Sequence, residues 1–231
     1  MGGKIPRKTA QEAGNGRLLS DVAYARILQV LFERRLPAGA FVSQADLVAL
    51  TGIQTGPLRD ALRILEVEGV VTIHPRTGIQ FVKPGLELAR STYQFRELIE
   101  IAALEAFIAS VSDTEVDALI ERHREVMDQL ERDGLTDAVI DEVERLEQLF
   151  HGTIVASLEN RLIDSSYRRI DNYVRLLRLE RRLTPKLVLH SLREHVEVLK
   201  ATRQRKPTAA IAAMRAHFSA ALQRSLGVYR A

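Results

Sequence analysis

From residue 87 to residue 227 the apolar residues recur with a helical period and no other, which restricts the fold more than any other feature of the chain. The spacing predicts helices over 87–110, 113–132, 136–157, 159–180, 186–204 and 207–227. The breaks fall at Ser112-Asp113, Asp133-Gly134, Glu159-Asn160, Thr184-Pro185 and Lys206-Pro207. Asp113 with Glu115, and Pro207 near a first turn, suit helix starts: acids face the unpaired N–H groups there, and proline has no N–H to lose. Short joints make successive helices run antiparallel, so residues 87–231 read as an all-helical bundle of about six helices.

The first third is built differently. Leu18 to Arg35 has a helical period, with Ser20 or Asp21 as its cap. "LPAGA", residues 36–40, is a turn. Ser43 then caps a short helix over Gln44 to Leu50, and "TGIQTG" is the next turn. A helix from Thr55 to Glu68 follows, with Leu58, Ala61, Leu62 and Leu65 on one face and Gly69 as its stop. "VVTI" and "IQFV", joined by "HPRTG", form a hairpin. Residues 18–82 therefore read as a winged helix-turn-helix, and "KPG" opens a linker over 83–86. The stretch before it, 1–17, is polar, Gly-rich and basic, which predicts a disordered arm rather than a secretory leader.

Composition bounds what such a chain can do. There is no cysteine, so disulfides and thiolate metal sites are excluded and a cytoplasmic setting is the default. No apolar run approaches the ~18 residues a membrane span needs. The net charge of +3 is unevenly spread: residues 1–83 hold 11 Lys and Arg against 7 Asp and Glu, the remainder 22 against 23. The basic surplus lies on the winged module, as a polyanion partner would require.

In a helix-turn-helix the second helix enters the major groove, its first residues reach base edges, and its amides and the preceding loop hold phosphates. The run Gln54-Thr55-Gly56-Pro57-Leu58-Arg59 suits that task. Pro57 sits where a missing N–H costs little, Gly56 lets backbone approach a phosphate, and Arg59 reaches a phosphate or a guanine edge. At the hairpin tip, Arg76, Thr77 and Gly78 offer a cation and small residues to the backbone or minor groove. The segment "PAGAFVSQADLVALTGIQTGPLRDALRILEVEGVVTIHPRTGIQFV" resembles the DNA-binding domain of GntR-type bacterial transcription regulators. Pro37, Gly39, Leu47, Gly52, Pro57, Arg59, Ala61, Leu62, Leu65, Glu68, Gly69, Val71, Pro75 and Gly78 carry the resemblance. The departure is Gln54-Thr55-Gly56 in place of the family's Ser-Arg-Thr. That removes an arginine, and a bidentate arginine–guanine contact is worth about 1–3 kcal/mol of discrimination. Either the operator differs from the family's common one, or other groups supply the contact: Gln54 reading adenine, and Lys4, Arg7 and Lys8 of the arm on the minor groove or phosphates.

Five histidines fall in the bundle, and three of them lie on inner faces. Glu147 and His151 are one turn apart beside the stripe Val139, Val143, Leu146, Phe150, Ile154; His195 lies between Leu192 and Leu199; His217 stands between Met214 and Phe218. A carboxylate and three imidazoles from three helices supply four ligands for a first-row divalent ion. The C-terminal half resembles the FCD effector domain of the FadR branch. "EQLFH", "REHVEVLKA" and "AAMRAHF" stand where its metal-binding members carry D-x-x-x-H, E-H and A-M-x-x-H, and Arg96 with Glu100 matches its opening R-x-x-x-E. The resemblance implies zinc, or nickel or manganese, on Glu147, His151, His195 and His217, with Glu147 in place of the usual aspartate. It also implies a homodimer on palindromic double-stranded operator DNA, and a small carboxylate effector that releases a repressor. Arg96 is the candidate anion clamp, with Tyr173 and Arg175 as further candidates. His123 and His190 match nothing in the pattern and read as surface residues or supports behind a ligand. Two other readings stand beside this one: a regulator answering to the metal itself, and a metal-dependent hydrolase with Glu147 as base.

Overall fold

A computed structural model of the chain describes residues 10–179 and 183–229. They form two compact units that divide between Pro84 and Gly85. The fold is mainly helical throughout.

The first unit contains α1 (Ala10–Phe32), β1 (Phe41–Val42), α2 (Gln44–Thr51), α3 (Thr55–Val67), β2 (Val71–His74) and β3 (Gly78–Phe81). α3 is strongly amphipathic. Its stripe Leu58, Ala61, Leu62 and Leu65 is buried and packs on α1, whose Ala23, Ile27, Val30 and Leu31 are fully buried. The ends follow from local chemistry. Ser43 and Asp46 form a capping box at the start of α2, and Gly52, with φ +70°, closes that helix in the left-handed region that glycine enters without strain.

Two expectations change here. α1 begins at Ala10 rather than Leu18, so residues 10–17 of the expected disordered arm are helical; residues 1–9, with Lys4, Arg7 and Lys8, lie outside the described residues. The wing is also a three-stranded antiparallel sheet in the order β1-β3-β2, not a lone hairpin. Phe41 pairs with Gln80 and Val42 with Ile79. A two-residue strand carries no alternation to read, so β1 leaves no periodic trace in the sequence.

The second unit is the bundle: α4 (Leu86–Ser110), α5 (Asp113–Asp133), α6 (Asp137–Ala156), α7 (Arg161–Leu179), α8 (Pro185–Arg203) and α9 (Pro207–Ser225). α8 packs on α9 and α5, and α4 packs on α9, α6 and α7. Local chemistry sets the helix starts. Ser112 and Glu115 form a capping box, Thr136 and Thr184 accept from the first turns they precede, and Pro185 and Pro207 sit where no N–H is needed. The core is aliphatic with Phe107, Phe150 and Phe218 inside it, and His123 of α5, His151 of α6, His195 of α8 and His217 of α9 are all buried.

Candidate metal centre and helix-turn-helix surface

Three imidazoles meet in the bundle interior. His151 comes from α6, His195 from α8 and His217 from α9, and one ring nitrogen of each lies within 4.8 Å of the others. Their exposures are 3%, 0% and 2%. The hydrogen bonds made by the outward-facing nitrogens decide what these inner atoms are. His151 Nδ1 is 2.5 Å from Glu100 Oε2, and His217 Nδ1 is 2.8 Å from Glu194 Oε2. A carboxylate accepts, so in each ring Nδ1 carries the proton and Nε2 is a bare lone pair. His151 Nε2 makes no hydrogen bond among the described residues although it is buried. His217 Nε2 lies 3.3 Å from His195 Nε2.

Buried lone pairs pointed at one another are unfavourable unless something positive lies between them. A proton is a poor candidate. Burial disfavours the imidazolium at His151, helped by Arg96 and His217, and its pKa lies well below the usual 6.5. Burial does the same at His195, against the pull of Glu147. A divalent cation fits. Two nitrogens each about 2.0–2.1 Å from a tetrahedral ion stand about 3.3–3.4 Å apart, and the His195–His217 separation is 3.3 Å.

Each carboxylate behind a ring is itself held. Glu100 Oε1 accepts from Arg96 Nε and from the Tyr167 hydroxyl, both at 2.7 Å. Burial pushes the Glu100 pKa up, and Arg96 and Tyr167 pull against that. Arg224 grips Glu194 through two nitrogens, at 2.9 and 2.7 Å. Burial opposes that charge too, but His217 and Arg224 keep Glu194 below the ordinary carboxylate range. Partners of this kind orient a ligating ring and raise its basicity.

Glu147 lies beside the three rings, with Oε2 3.7 Å from His151 Nε2 and 4.0 Å from His195 Nε2. Its carboxylate is bound to Arg178 of α7, and its Oε1 lies 3.3 Å from the Ser191 hydroxyl. Burial would raise its pKa, but the Arg178 guanidinium, followed by the rings, holds it well below the usual value. An anion tied to a guanidinium is a poor general base.

The other candidates fall as follows. Arg96 is buried in α4, with its Nε on Glu100 and its guanidinium 5.2 Å from the centre of the Phe218 ring. Tyr173 is half-buried on α7, and Arg175 pairs with Glu144 at 3.6 Å. The α7 arginine that reaches Glu147 is Arg178, three residues further on. His190 is partly exposed, 3.4 Å from Glu194. His123 is not at the surface: it is fully buried, 3.2 Å from His195. It continues the stripe Val116, Leu119, Ile120, Val126, Leu130 of α5, the signal that could have found it. Glu194 had an equally local signal, since it adjoins His195. Arg178 sits in a basic stretch with no pattern that separates it from solvated neighbours, whereas Arg224 continues the α9 stripe Ala210, Met214, His217, Phe218, Ala221.

In the first unit, Gln54 is the residue before α3, with extended backbone and no side-chain bond to the helix end. Its side chain is not engaged in capping. Gln54, Thr55, Gly56 and Arg59 are exposed, Pro57 is half-buried in the first turn, and Leu58 beneath them is buried. Arg76 and Thr77 are exposed at the β2–β3 turn, where both the N–H and the hydroxyl of Thr77 donate to the His74 carbonyl. Gly78 has a packing reason. A Cβ there would stand 2.8 Å from both Phe41 Cε1 and the Val42 carbonyl oxygen, so β1 can pair with β3 only over a glycine.

The model of the FCD domain matches residues 91–220, more than half of the chain, and that of the gntR family of bacterial regulatory proteins matches residues 19–81. The chain belongs to the GntR family, in its FCD branch. It is thus a transcriptional regulator and not an enzyme, which removes the hydrolase reading. This regulator is 22% identical over 196 residues to an uncharacterized HTH-type transcriptional regulator, YdhC, of Bacillus subtilis (strain 168), covering 85% of this chain and 86% of that one. It is 30% identical over 138 residues to an uncharacterized HTH-type transcriptional regulator in an unstable DNA locus of Streptomyces ambofaciens, covering 59% and 55%. A solved protein of Rhodococcus sp. RHA1, described as a GntR transcriptional regulator, has the same fold. The TM-score is 0.72 at 20% identity, over 94% of this chain and all of that one. No helix among the described residues is long and apolar enough to cross a membrane.

Proposed function

We propose that this regulator is a cytoplasmic repressor whose hold on DNA is controlled by a small carboxylate effector at a metal centre in the bundle. The observation that carries the reading is the meeting of one ring nitrogen each from His151, His195 and His217 in a buried interior. Those atoms would hold a divalent ion, zinc first, with nickel and manganese as chemically suitable alternatives. Glu147 lies close enough to complete the ligand set by a small side-chain movement. A bound ion would supply a Lewis-acidic position for a carboxylate oxygen. Arg96 and Arg178, both within the same interior, would receive the remaining charge of the anion.

On the DNA side, Arg59 at the start of α3 contacts phosphate or a guanine edge, and Gln54 and Thr55 read neighbouring bases. Gly56 and Pro57 let the helix end approach the backbone. Arg76 and Thr77 meet the backbone or minor groove, with Gly78 shaping the wing. A homodimer would place two such helices on the halves of a palindromic site. The effector changes DNA affinity by its preference for one of two arrangements of the protein, and operator DNA changes effector affinity by the same factor.

The test is binding to the DNA upstream of the regulator's own gene, with and without chelator, against a panel of small carboxylates. Release by one carboxylate, abolished by chelator, supports the reading. Release by metal alone supports a metal sensor instead, and no sequence-specific binding under any condition removes both.

A further inference from the structure

Two of the three converging rings have a carboxylate behind them, and the third does not. His195 Nδ1 faces another imidazole, that of His123, at 3.2 Å. His123 in turn places its Nδ1 2.7 Å from the Leu119 carbonyl oxygen, one turn back on α5. Both rings are fully buried. They stand edge to face, their centres 5.4 Å apart, and Phe150 packs against each of them.

The protons follow from the end of this chain. A carbonyl oxygen only accepts, so His123 Nδ1 carries a proton and donates it to Leu119. The His123 Nε2 of the neutral ring is then a bare acceptor. The only way for it to make a hydrogen bond with His195 is for His195 Nδ1 to donate. That leaves His195 Nε2 bare, the atom that faces His217 Nε2. Carbonyl, imidazole and imidazole thus form a relay with one direction.

We propose that His123 is a positioning residue: through this relay it holds His195 in the tautomer whose bare Nε2 faces the space shared with His151 and His217. The inference rests on the metal reading only for its purpose, since the tautomer itself is a property of the metal-free protein. The consequence is a centre with unlike supports. His151 and His217 are backed by Glu100 and Glu194, which arginines hold, whereas His195 is backed by a neutral ring. A neutral acceptor orients a ligand without adding negative charge behind it.

The test uses the full chain and two variants, His123→Leu and His123→Gln. Leucine fills much of the ring's volume and offers no acceptor. Glutamine can place its Oε1 near the His123 Nε2 position and accept from His195. Long-range 15N–1H NMR of the metal-free protein reads the tautomer of each histidine, and zinc titration against a chromophoric chelator reads affinity. In the unmutated protein His195 is expected protonated on Nδ1 and bare on Nε2. In His123→Leu that tautomer is expected to lose its dominance and zinc affinity to fall about 10- to 100-fold. His123→Gln should recover most of both, which a role in packing alone would not produce. An unmutated protein with His195 protonated on Nε2 overturns the proposal, and so does His123→Leu with unchanged tautomer and affinity. If His123→Leu does not fold, the tautomer of the unmutated protein and the glutamine variant still decide. If no divalent ion binds while the tautomers are as expected, the relay stands and the metal reading fails.

Discussion

Glu147→Ala removes one half of a buried ion pair and leaves the other half in place. The side chains of Glu147 and Arg178 are 7% and 16% exposed, so the pair is not of the solvent-screened surface kind. With glutamate gone, the Arg178 guanidinium stays in the interior, near Arg96, without the carboxylate that offset its desolvation. Breaking a buried pair from one side costs about 3–5 kcal/mol. For a chain of this size each kcal/mol moves the unfolding midpoint by about 2–4 °C. The expected fall in Tm is therefore about 6–20 °C in chelator-treated protein, followed by circular dichroism at 222 nm. Glu147→Leu with Arg178→Leu removes both charges and should sit far closer to the unmutated protein, because no uncompensated charge remains. A single variant within about 2 °C of the unmutated protein, or a double variant worse than the single one, would refute the account of Glu147 as a carboxylate tied to arginine.

Other outcomes are accessible to routine measurement. Arg59→Ala, at the exposed start of α3, should weaken operator binding about 10- to 100-fold by fluorescence anisotropy while leaving metal content and Tm unchanged. A change in metal content would place Arg59 in the wrong unit's chemistry. Gly78→Ala sets a Cβ against Phe41 and the Val42 carbonyl and should destabilise the winged unit by about 1–3 kcal/mol, read from its urea midpoint. An unaltered midpoint would show that β1 does not depend on that close approach. Acid should destabilise the metal-free protein in a definite window. His151 and His195 have folded pKa values well below 6.5, so the unfolded chain takes up protons that the folded one does not once pH falls past about 6.5. Stability should be level above that pH and should drop by about 1.4 kcal/mol per ring by about pH 5.5. The Glu147 contribution is retained there, because its folded pKa lies well below 4.5. A urea midpoint equal at about pH 7.5 and 5.5 would contradict the buried neutral rings.

Much of this was legible in the residues themselves. Helical periodicity, the cap Ser43 and the breaks at Ser112-Asp113, Thr184-Pro185 and Lys206-Pro207 are local signals, and the observed helix ends fall close to them. His151, His195 and His217 stood out because a polar residue on an apolar stripe needs a partner, and the structure supplies one for each. What escaped was non-local. β1 exists only because β3 offers it an edge, and nothing in Phe41-Val42 alone announces a strand. Arg175 and Arg178 look alike in a basic run, and only the packing of α7 against α6 separates the one on Glu144 from the one on Glu147. For His123, which has no counterpart in the family pattern, the sequence leaves a surface residue and a support behind a ligand both open, and its place on the buried α5 stripe is the local signal that separates them.

Zinc content of the purified chain and of His195→Ala, measured by inductively coupled plasma mass spectrometry after dialysis against equimolar zinc, tests the centre most directly. The three-histidine site predicts equimolar zinc in the unmutated regulator, a large loss in the variant, and operator binding by the metal-free variant equal to that of the metal-free unmutated protein. Equal zinc in the two proteins would contradict it.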